Sequence, residues 1–103
     1  MKRRVLISNA AQNDLAAIWR WTIDQFGEAQ ADRYLDSLVE VIESCADSPA
    51  RGRDRSEIRD GYRSVLVGQH VVFYRFDDAQ LIVQRVLHGS MDFDAHLDEG
   101  SAE

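Results

Sequence analysis

Apolar residues recur along this chain with two different spacings. Between residues 9 and 47 they fall every three or four positions, which places their side chains on one face of a helix. Gly27 interrupts this region, so the pattern predicts a helix ending at Phe26 and a second helix over about 28–47. The apolar stripes are Leu15, Ile18, Trp19, Thr22, Ile23 and Phe26 in the first helix, and Ala31, Leu35, Leu38, Ile42 and Cys45 in the second. Because only a short turn joins the helices, they should form an antiparallel hairpin.

Beyond the second helix, after a polar loop over 48–61, the apolar spacing changes to two, which predicts strands. The predicted strands are YRSVLV (62–67), HVVFYRF (70–76) and LIVQRVLH (81–88), joined by the turns GQ and DDAQ. A further short strand at residues 3–8 precedes the helices. The order β-α-α-β-β-β predicts an α+β domain in which the helical hairpin packs on one face of a small, mainly antiparallel four-stranded sheet.

The two turns also predict a strand register. The expected pairs are Val67–His70, Arg63–Tyr74, Phe76–Gln80, Tyr74–Ile82 and His70–Val86. The face expected to meet the helices carries Tyr62, Leu66, Val71, Phe73, Leu81, Val83 and Leu87. The opposite face carries Arg63, Val65, Val67, His70, Val72, Tyr74, Ile82, Gln84, Val86 and His88. Two helices cannot cover both faces, so we expect the second, still rich in branched residues, to bind a partner.

Two arginines do not fit this register. Arg75 and Arg85 fall on the face assigned to the helices, where an unpaired charge would be costly. We therefore expect either ion pairs with helix acids or a β-bulge that turns these side chains outward.

Composition limits the class of protein. A chain of 103 residues with 45% apolar residues is expected to form one domain, here residues 1–97, followed by an acidic and disordered tail over 98–103. The apolar run near the start is too short for a signal peptide, and no segment has the length of a transmembrane helix. The single cysteine, Cys45, fits the helix core and a reducing cytoplasm. No metal-ligand spacing and no phosphate-binding loop is present in the sequence, so we expect no metal and no cofactor.

The charge argues against a nucleic-acid ligand. The formal net charge is −6, and residues 92–103 contain five acidic residues but no lysine or arginine. A protein that binds phosphate backbones gains affinity by neutralising them with basic residues. We therefore expect no direct nucleic-acid binding by this chain alone.

An ordered set of motifs resembles a known family. Its members are DLAAIWRWTIDQFG, QADRYLDSL, Gly61-Tyr62-Arg63, Gly68, His70, Phe73-Tyr74-Arg75, Arg85-Val86-Leu87-His88 and Met91-Asp92. Over residues 4–97 this set resembles the ParE branch of the RelE/ParE toxin superfamily. The resemblance implies a toxin of a bacterial toxin–antitoxin pair, neutralised by a ParD-type antitoxin that lies across it. It further implies poisoning of DNA gyrase, whereas RelE relatives cleave mRNA in the ribosomal A site.

The nuclease alternative requires a general base, a general acid and cations around a phosphate. Arg63 and His88 resemble positions that RelE-type nucleases use, and Glu57 could be a base. However, the loop before Arg63 has no lysine, and the chain after His88 has Phe93 and acids where these nucleases favour a tyrosine and bases. We therefore expect a toxin without its own catalysis. A diverged, non-toxic antitoxin-binding protein is the third possibility.

The predicted partner-binding residues are drawn from several elements. Trp21 lies about 200° round the helix from Trp19, so it is either a partly covered surface aromatic or an anchor for the antitoxin or a second copy. The full predicted set is Trp21, Arg63, Tyr74, Arg75, Arg85, His88 and Met91.

Overall fold

Two helices pack on one face of a five-stranded mixed sheet. The computed structural model describes residues 3–90 together with Phe93 and Leu97. The elements are β1 (Arg4–Ile7), α1 (Asn9–Phe26), α2 (Glu28–Asp47), β2 (Arg53–Asp54), β3 (Arg63–Val67), β4 (His70–Phe76) and β5 (Gln80–His88), with a 3₁₀ turn at Pro49–Arg51. The predicted α+β architecture is confirmed, with β2 as an additional short strand in the predicted loop. Within the described residues, no helix is both long enough and apolar enough to cross a membrane.

The two helices begin and end where the sequence predicts. Ser8 caps α1, because its Oγ accepts a hydrogen bond from the Ala11 amide at 3.0 Å. Gly27 separates the helices at φ 91°, a conformation that other residues adopt only with strain. Cys45 is 1% exposed, as predicted. Trp19 was predicted in the core but is 38% exposed, because its indole N–H reaches outward to Asp32 at 3.2 Å.

The strands are ordered β1-β5-β4-β3-β2, with β1 parallel to β5 and the other pairs antiparallel. The register of β3 with β4 is as predicted, with Val67 opposite His70 and Arg63 opposite Tyr74. The register of β4 with β5 was predicted wrongly. The observed pairs are Phe76–Leu81, Tyr74–Val83, Phe73–Arg85 and His70–His88. A bulge between Phe73 and Tyr74 leaves Gln84 as the extra residue on β5, and the longer turn shifts the remaining pairs.

The assignment of sheet faces was also wrong for β3 and β4. The core beneath the helices contains Val65, Val67, Val72, Tyr74, Leu81, Val83 and Val86. Of the residues predicted to face the helices, only Leu81 and Val83 do so. Leu66 is 68% exposed instead. Apolar residues alternate on both sides of these strands, so periodicity alone could not decide which side the helices would cover.

The second face of the sheet is covered in part by the chain itself. Its apolar cluster contains Tyr62, Val71, Phe73, Leu87 and Leu97, with Ile58 and Phe93 packed against it. Phe93 stacks edge-to-face on Phe73 with ring centroids 4.8 Å apart. The predicted open apolar face is therefore partly closed, and between the described residues a cleft lies over β1 and the first half of β5.

Candidate partner-binding surface

The two most exposed aromatic side chains of α1 lie near the bend of the helical hairpin. Trp21 is 52% exposed and Phe26 is 65% exposed, and their rings meet edge-to-face with centroids 6.0 Å apart. Two shallow clefts of about 270 and 240 Å³ flank Trp21, and both are bounded by Gln69 and His70. We call this region the Trp21 surface, which comprises Trp21, Phe26, Tyr34, Gln69, His70 and His88.

The turn between β3 and β4 fixes the base of this surface. Gly68 has φ 57°, and a Cβ atom there would lie 2.8 Å from the ring of Tyr34. Glycine is therefore needed both for the turn and for the close approach of α2. The Tyr34 hydroxyl donates to the Val67 carbonyl at 3.0 Å and lies 2.7 Å from Nδ1 of His70. Since the hydroxyl has one proton, it accepts from Nδ1–H of His70.

His88 completes the polar part of the surface. Its ring meets that of His70 at 5.5 Å, in the observed cross-strand pair. Nδ1 of His88 accepts from the Ser90 amide at 3.2 Å, and Nε2 lies 3.3 Å from Oε1 of Gln69. In these contacts Nδ1 acts as an acceptor and Nε2 as a donor. Burial, followed by the neighbouring His88, lowers the pKa of His70, so the His70 ring stands as a neutral hydrogen-bonding group.

The structure does not bring Arg63 and His88 together. Arg63 lies opposite Tyr74, whereas His88 lies opposite His70, four residues away on β4. At about 3.3 Å per residue, that separates them by about 13 Å along the strand direction, with a whole strand between them. Arg63 instead donates to the Gly52 carbonyl at 2.8 Å. As placed, the two side chains cannot act on one phosphate.

Two of the predicted partner-binding residues are buried within the chain. Tyr74 is fully buried, and its hydroxyl donates to the Pro49 carbonyl at 2.5 Å and accepts from the Gly52 amide at 3.1 Å. Burial raises the pKa of the Tyr74 phenol. Tyr74 was predicted on the open face of the sheet but lies in the core beneath the helices. Arg85, the second of these residues, was predicted on the helix side and is found there. As positioned, Tyr74 presents no surface to a partner, and Arg85 presents little.

Arg85 confirms one of the two expectations for the misplaced arginines. It is 8% exposed and forms a bidentate ion pair with Asp14 of α1, with N–O distances of 2.7 and 2.8 Å. The same carboxylate accepts from the Val86 amide at 3.0 Å. Arg75 behaves differently, because it is exposed and lies beside Ile82 at the cleft of the second face. Met91 falls outside the described residues.

Four members of the Trp21 surface are absent from the predicted partner-binding set: Phe26, Tyr34, Gln69 and His70. Phe26 is in phase with the core stripe, but the hairpin bend leaves it in solvent. Tyr34 and Gln69 meet only because α2 packs over the β3–β4 turn. The one available signal was the glycine of that turn, which marks a close approach as well as a turn.

The family model described as "ParE toxin of type II toxin-antitoxin system, parDE" matches residues 5–93. The chain belongs to the ParE toxin family. It is 44% identical over 98 residues to "Toxin ParE1" of Mycobacterium tuberculosis, covering 94% of this chain and 100% of that protein. It is 40% identical over 91 residues to "Toxin ParE1" of Caulobacter vibrioides, covering 88% of this chain and 94% of that protein.

Solved structures share the ParE-family fold seen here. One is from the chromosomal ParDE toxin–antitoxin system of P. aeruginosa, with a TM-score of 0.73, 17% identity and coverage of 84% of this chain and 96% of that chain. Another is from the RelBE2 toxin–antitoxin complex of Mycobacterium tuberculosis, with a TM-score of 0.66, 23% identity and coverage of 85% and 99%. At these identities the likeness concerns the fold.

Proposed function

We propose that this ParE toxin acts in the cytoplasm by binding DNA gyrase, without a reaction of its own, and that a ParD-like antitoxin neutralises it. Membership of the ParE family supports a toxin–antitoxin role. One observation above all supports action by binding a partner protein rather than by catalysis. The Trp21 surface offers exposed aromatic rings beside shallow clefts, while the residues considered for catalysis lie apart.

The Trp21 surface has the composition of a protein-binding surface. Tryptophan and other aromatic residues dominate the binding energy of interfaces, because a large rigid ring gains contact area at low entropic cost. Gln69 and His88 supply polar groups at the margin, where hydrogen bonds fix orientation. We assign this surface to the antitoxin.

The charge of α2 indicates the chemistry of that antitoxin segment. The outer side of α2 presents a series of exposed carboxylates: Asp32, Asp36, Glu40 and Glu43. A basic segment with apolar anchors would complement both this helix and the Trp21 surface. Its association should therefore slow as ionic strength rises.

Catalysis by this chain is the less favoured interpretation. Ribosome-dependent cleavage would require Arg63 and His88 to approach one ribose–phosphate group. Their separation and their hydrogen bonds to the chain itself both oppose that arrangement. Membership of the ParE family also favours the binding mode over the RelE-like activity.

A supercoiling assay with purified gyrase tests the binding mode. The toxin alone should inhibit supercoiling, and addition of the ParD-like antitoxin should restore it. In a parallel reconstituted translation reaction, the toxin should leave mRNA intact. Cleavage of mRNA on the ribosome, with gyrase unaffected, would contradict the proposal.

The antitoxin surface is tested by Trp21→Ala. The variant should bind the antitoxin about 30-fold more weakly, which corresponds to about 2 kcal/mol for a hot-spot tryptophan. Phe76→Ala is the matched control, since Phe76 is 37% exposed at the opposite end of β4 from His70. Equal affinities for the two variants would show that the antitoxin binds elsewhere.

A further inference from the structure

The clefts beside Trp21 contain two histidines whose charge can change with pH. The rings of His70 and His88 meet edge-to-face with centroids 5.5 Å apart, and both border the cleft that lies against α1. The other side chains that line the two clefts are apolar or neutral. Histidine is the side chain that ordinarily changes its charge between pH 5 and 8. Within the Trp21 surface, this pair therefore controls the charge in that range.

The surroundings of His70 favour its neutral form. The ring is 9% exposed, and its Nδ1–H donates to the Tyr34 hydroxyl of α2 at 2.7 Å. Burial and then the neighbouring His88 lower the pKa of His70, while Asp14 of α1 opposes that shift. The Asp14 carboxylate already forms a bidentate ion pair with Arg85. A proton on His70 would therefore be compensated only in part.

Protonation of His88 would change its hydrogen bonds. Its Nδ1 accepts from the Ser90 amide at 3.2 Å, and its Nε2 lies 3.3 Å from Oε1 of Gln69. A protonated ring has a proton on both nitrogens, so Nδ1 could no longer accept from that amide. The new charge would also face His70 at 5.5 Å, and two like charges at that separation disfavour each other.

We propose that protonation of His70 and His88 releases the antitoxin, so that it binds the Trp21 surface tightly at neutral pH and weakly in mildly acidic solution. This inference rests on the proposed assignment of that surface to the antitoxin. A partner that covers the clefts removes water from both rings, which costs more for the charged form than for the neutral form. The new positive charge would also repel a basic antitoxin segment.

The direction of the pH effect follows from the balance of protons. A complex that keeps both rings neutral must release any protons that they carry in the free toxin. Histidines ordinarily bind these protons as pH falls through about 6.5, and the lowered pKa of His70 moves its own uptake to a lower pH. Each proton released on binding makes the antitoxin affinity fall by up to about tenfold for each unit of pH.

Calorimetric titration of the full chain with purified full-length antitoxin tests this inference. The affinity of the wild-type toxin should fall at least about tenfold between pH 7.5 and 5.5. Circular dichroism checks that the toxin is folded at both values. At about pH 6, titrations in two buffers with different heats of ionisation should show a net release of protons on binding. The same affinity at both pH values would overturn the inference.

Variants separate this inference from the assignment of the surface. His70→Gln and His88→Gln should each reduce the slope of log affinity against pH, and the second remains informative if replacing the buried His70 disturbs the fold. Trp21→Ala should weaken binding at both pH values and retain the slope. The same slope in the wild type and in both histidine variants would overturn the inference alone. Unchanged affinity for Trp21→Ala would overturn the surface assignment, and the inference with it.

Discussion

The two faces of the sheet are covered in different ways. Two long helices cover the first face and bury a continuous apolar core. Among the described residues, the loop before β3, Phe93 and Leu97 cover the part of the second face around Phe73. Beside that part lies a polar-walled cleft. The first face thus provides most of the stabilising burial between the described residues, whereas the second also forms a cleft.

Two arginines illustrate the same difference between the faces. Arg85 reaches Asp14 of α1 and is buried in a bidentate ion pair. Arg75 lies over the second face and is exposed to solvent at the cleft. Similar residues in neighbouring strands therefore have different roles, because a helix acid lies within reach of only one of them. Substitutions on each face can test this contrast.

The largest expected effect is at the ion pair beneath α1. Asp14→Asn should lower the free energy of unfolding by about 3–5 kcal/mol, because it removes the carboxylate charge that pairs with the buried guanidinium of Arg85. Urea denaturation followed by circular dichroism measures this. Asp36→Asn, at an exposed position of α2, is the control and should change stability by less than about 0.5 kcal/mol. Comparable small effects for both variants would show that the pair contributes little.

Truncating a buried leucine to alanine should lower the free energy of unfolding more on the first face than on the second. Leu38 and Leu97 are both fully buried, the first beneath the helices and the second on the other face. Leu38→Ala should cost about 4 kcal/mol in unfolding free energy, while Leu97→Ala should cost about 2 kcal/mol because its apolar cluster is smaller. The midpoints of urea denaturation compare them directly. A cost for Leu97→Ala equal to that for Leu38→Ala would mean that the second face is as well packed as the first.

Tyr74→Phe probes the link between the core and the loop after α2. The change removes the hydroxyl that contacts Pro49 and Gly52, and it leaves the buried Gly52 amide without its acceptor. A loss of about 1–3 kcal/mol in unfolding free energy is expected. Thermal denaturation measures it. Unchanged stability would show that the loop rearranges and finds other partners.

The smallest expected effect is a pH dependence from His70. Its pKa is lowered in the folded state, so as pH falls below about 6.5 the unfolded state takes up a proton first. Stability from His70 is therefore present above that pH and is lost as pH falls toward the folded-state pKa, by at most about 1.4 kcal/mol per pH unit. His70→Gln should reduce the slope of the unfolding free energy against pH between pH 7.5 and 5.5. The same slope in both proteins would contradict this assignment.

The local elements could be predicted from the sequence because they depend on local chemistry. Gly27 marks the hairpin bend, and the two-residue turn at Gly68 sets the β3–β4 register. The β4–β5 register could not be predicted in the same way. Its bulge lies beside the ion pair of Arg85 with Asp14, which is a contact between distant parts of the chain.

The candidate surfaces were predictable only in part. The helical angle of Trp21 correctly indicates a surface position. The contacts of Tyr34 with His70 arise from tertiary packing, which no spacing in the sequence encodes. Gln84 was assigned to the correct strand, but its burial beside the cleft follows from the bulge. Sites that combine a turn, a helix and a strand thus need the structure, even when each element is evident beforehand.

Pulse labelling after induced expression without antitoxin tests the central claim most directly. Incorporation of thymidine and methionine is compared within minutes of induction. An early fall in thymidine incorporation, with methionine incorporation intact, is the result expected for a toxin that binds gyrase. An early fall in methionine incorporation would contradict that claim and favour cleavage of mRNA. If neither falls, the chain binds its antitoxin without being toxic.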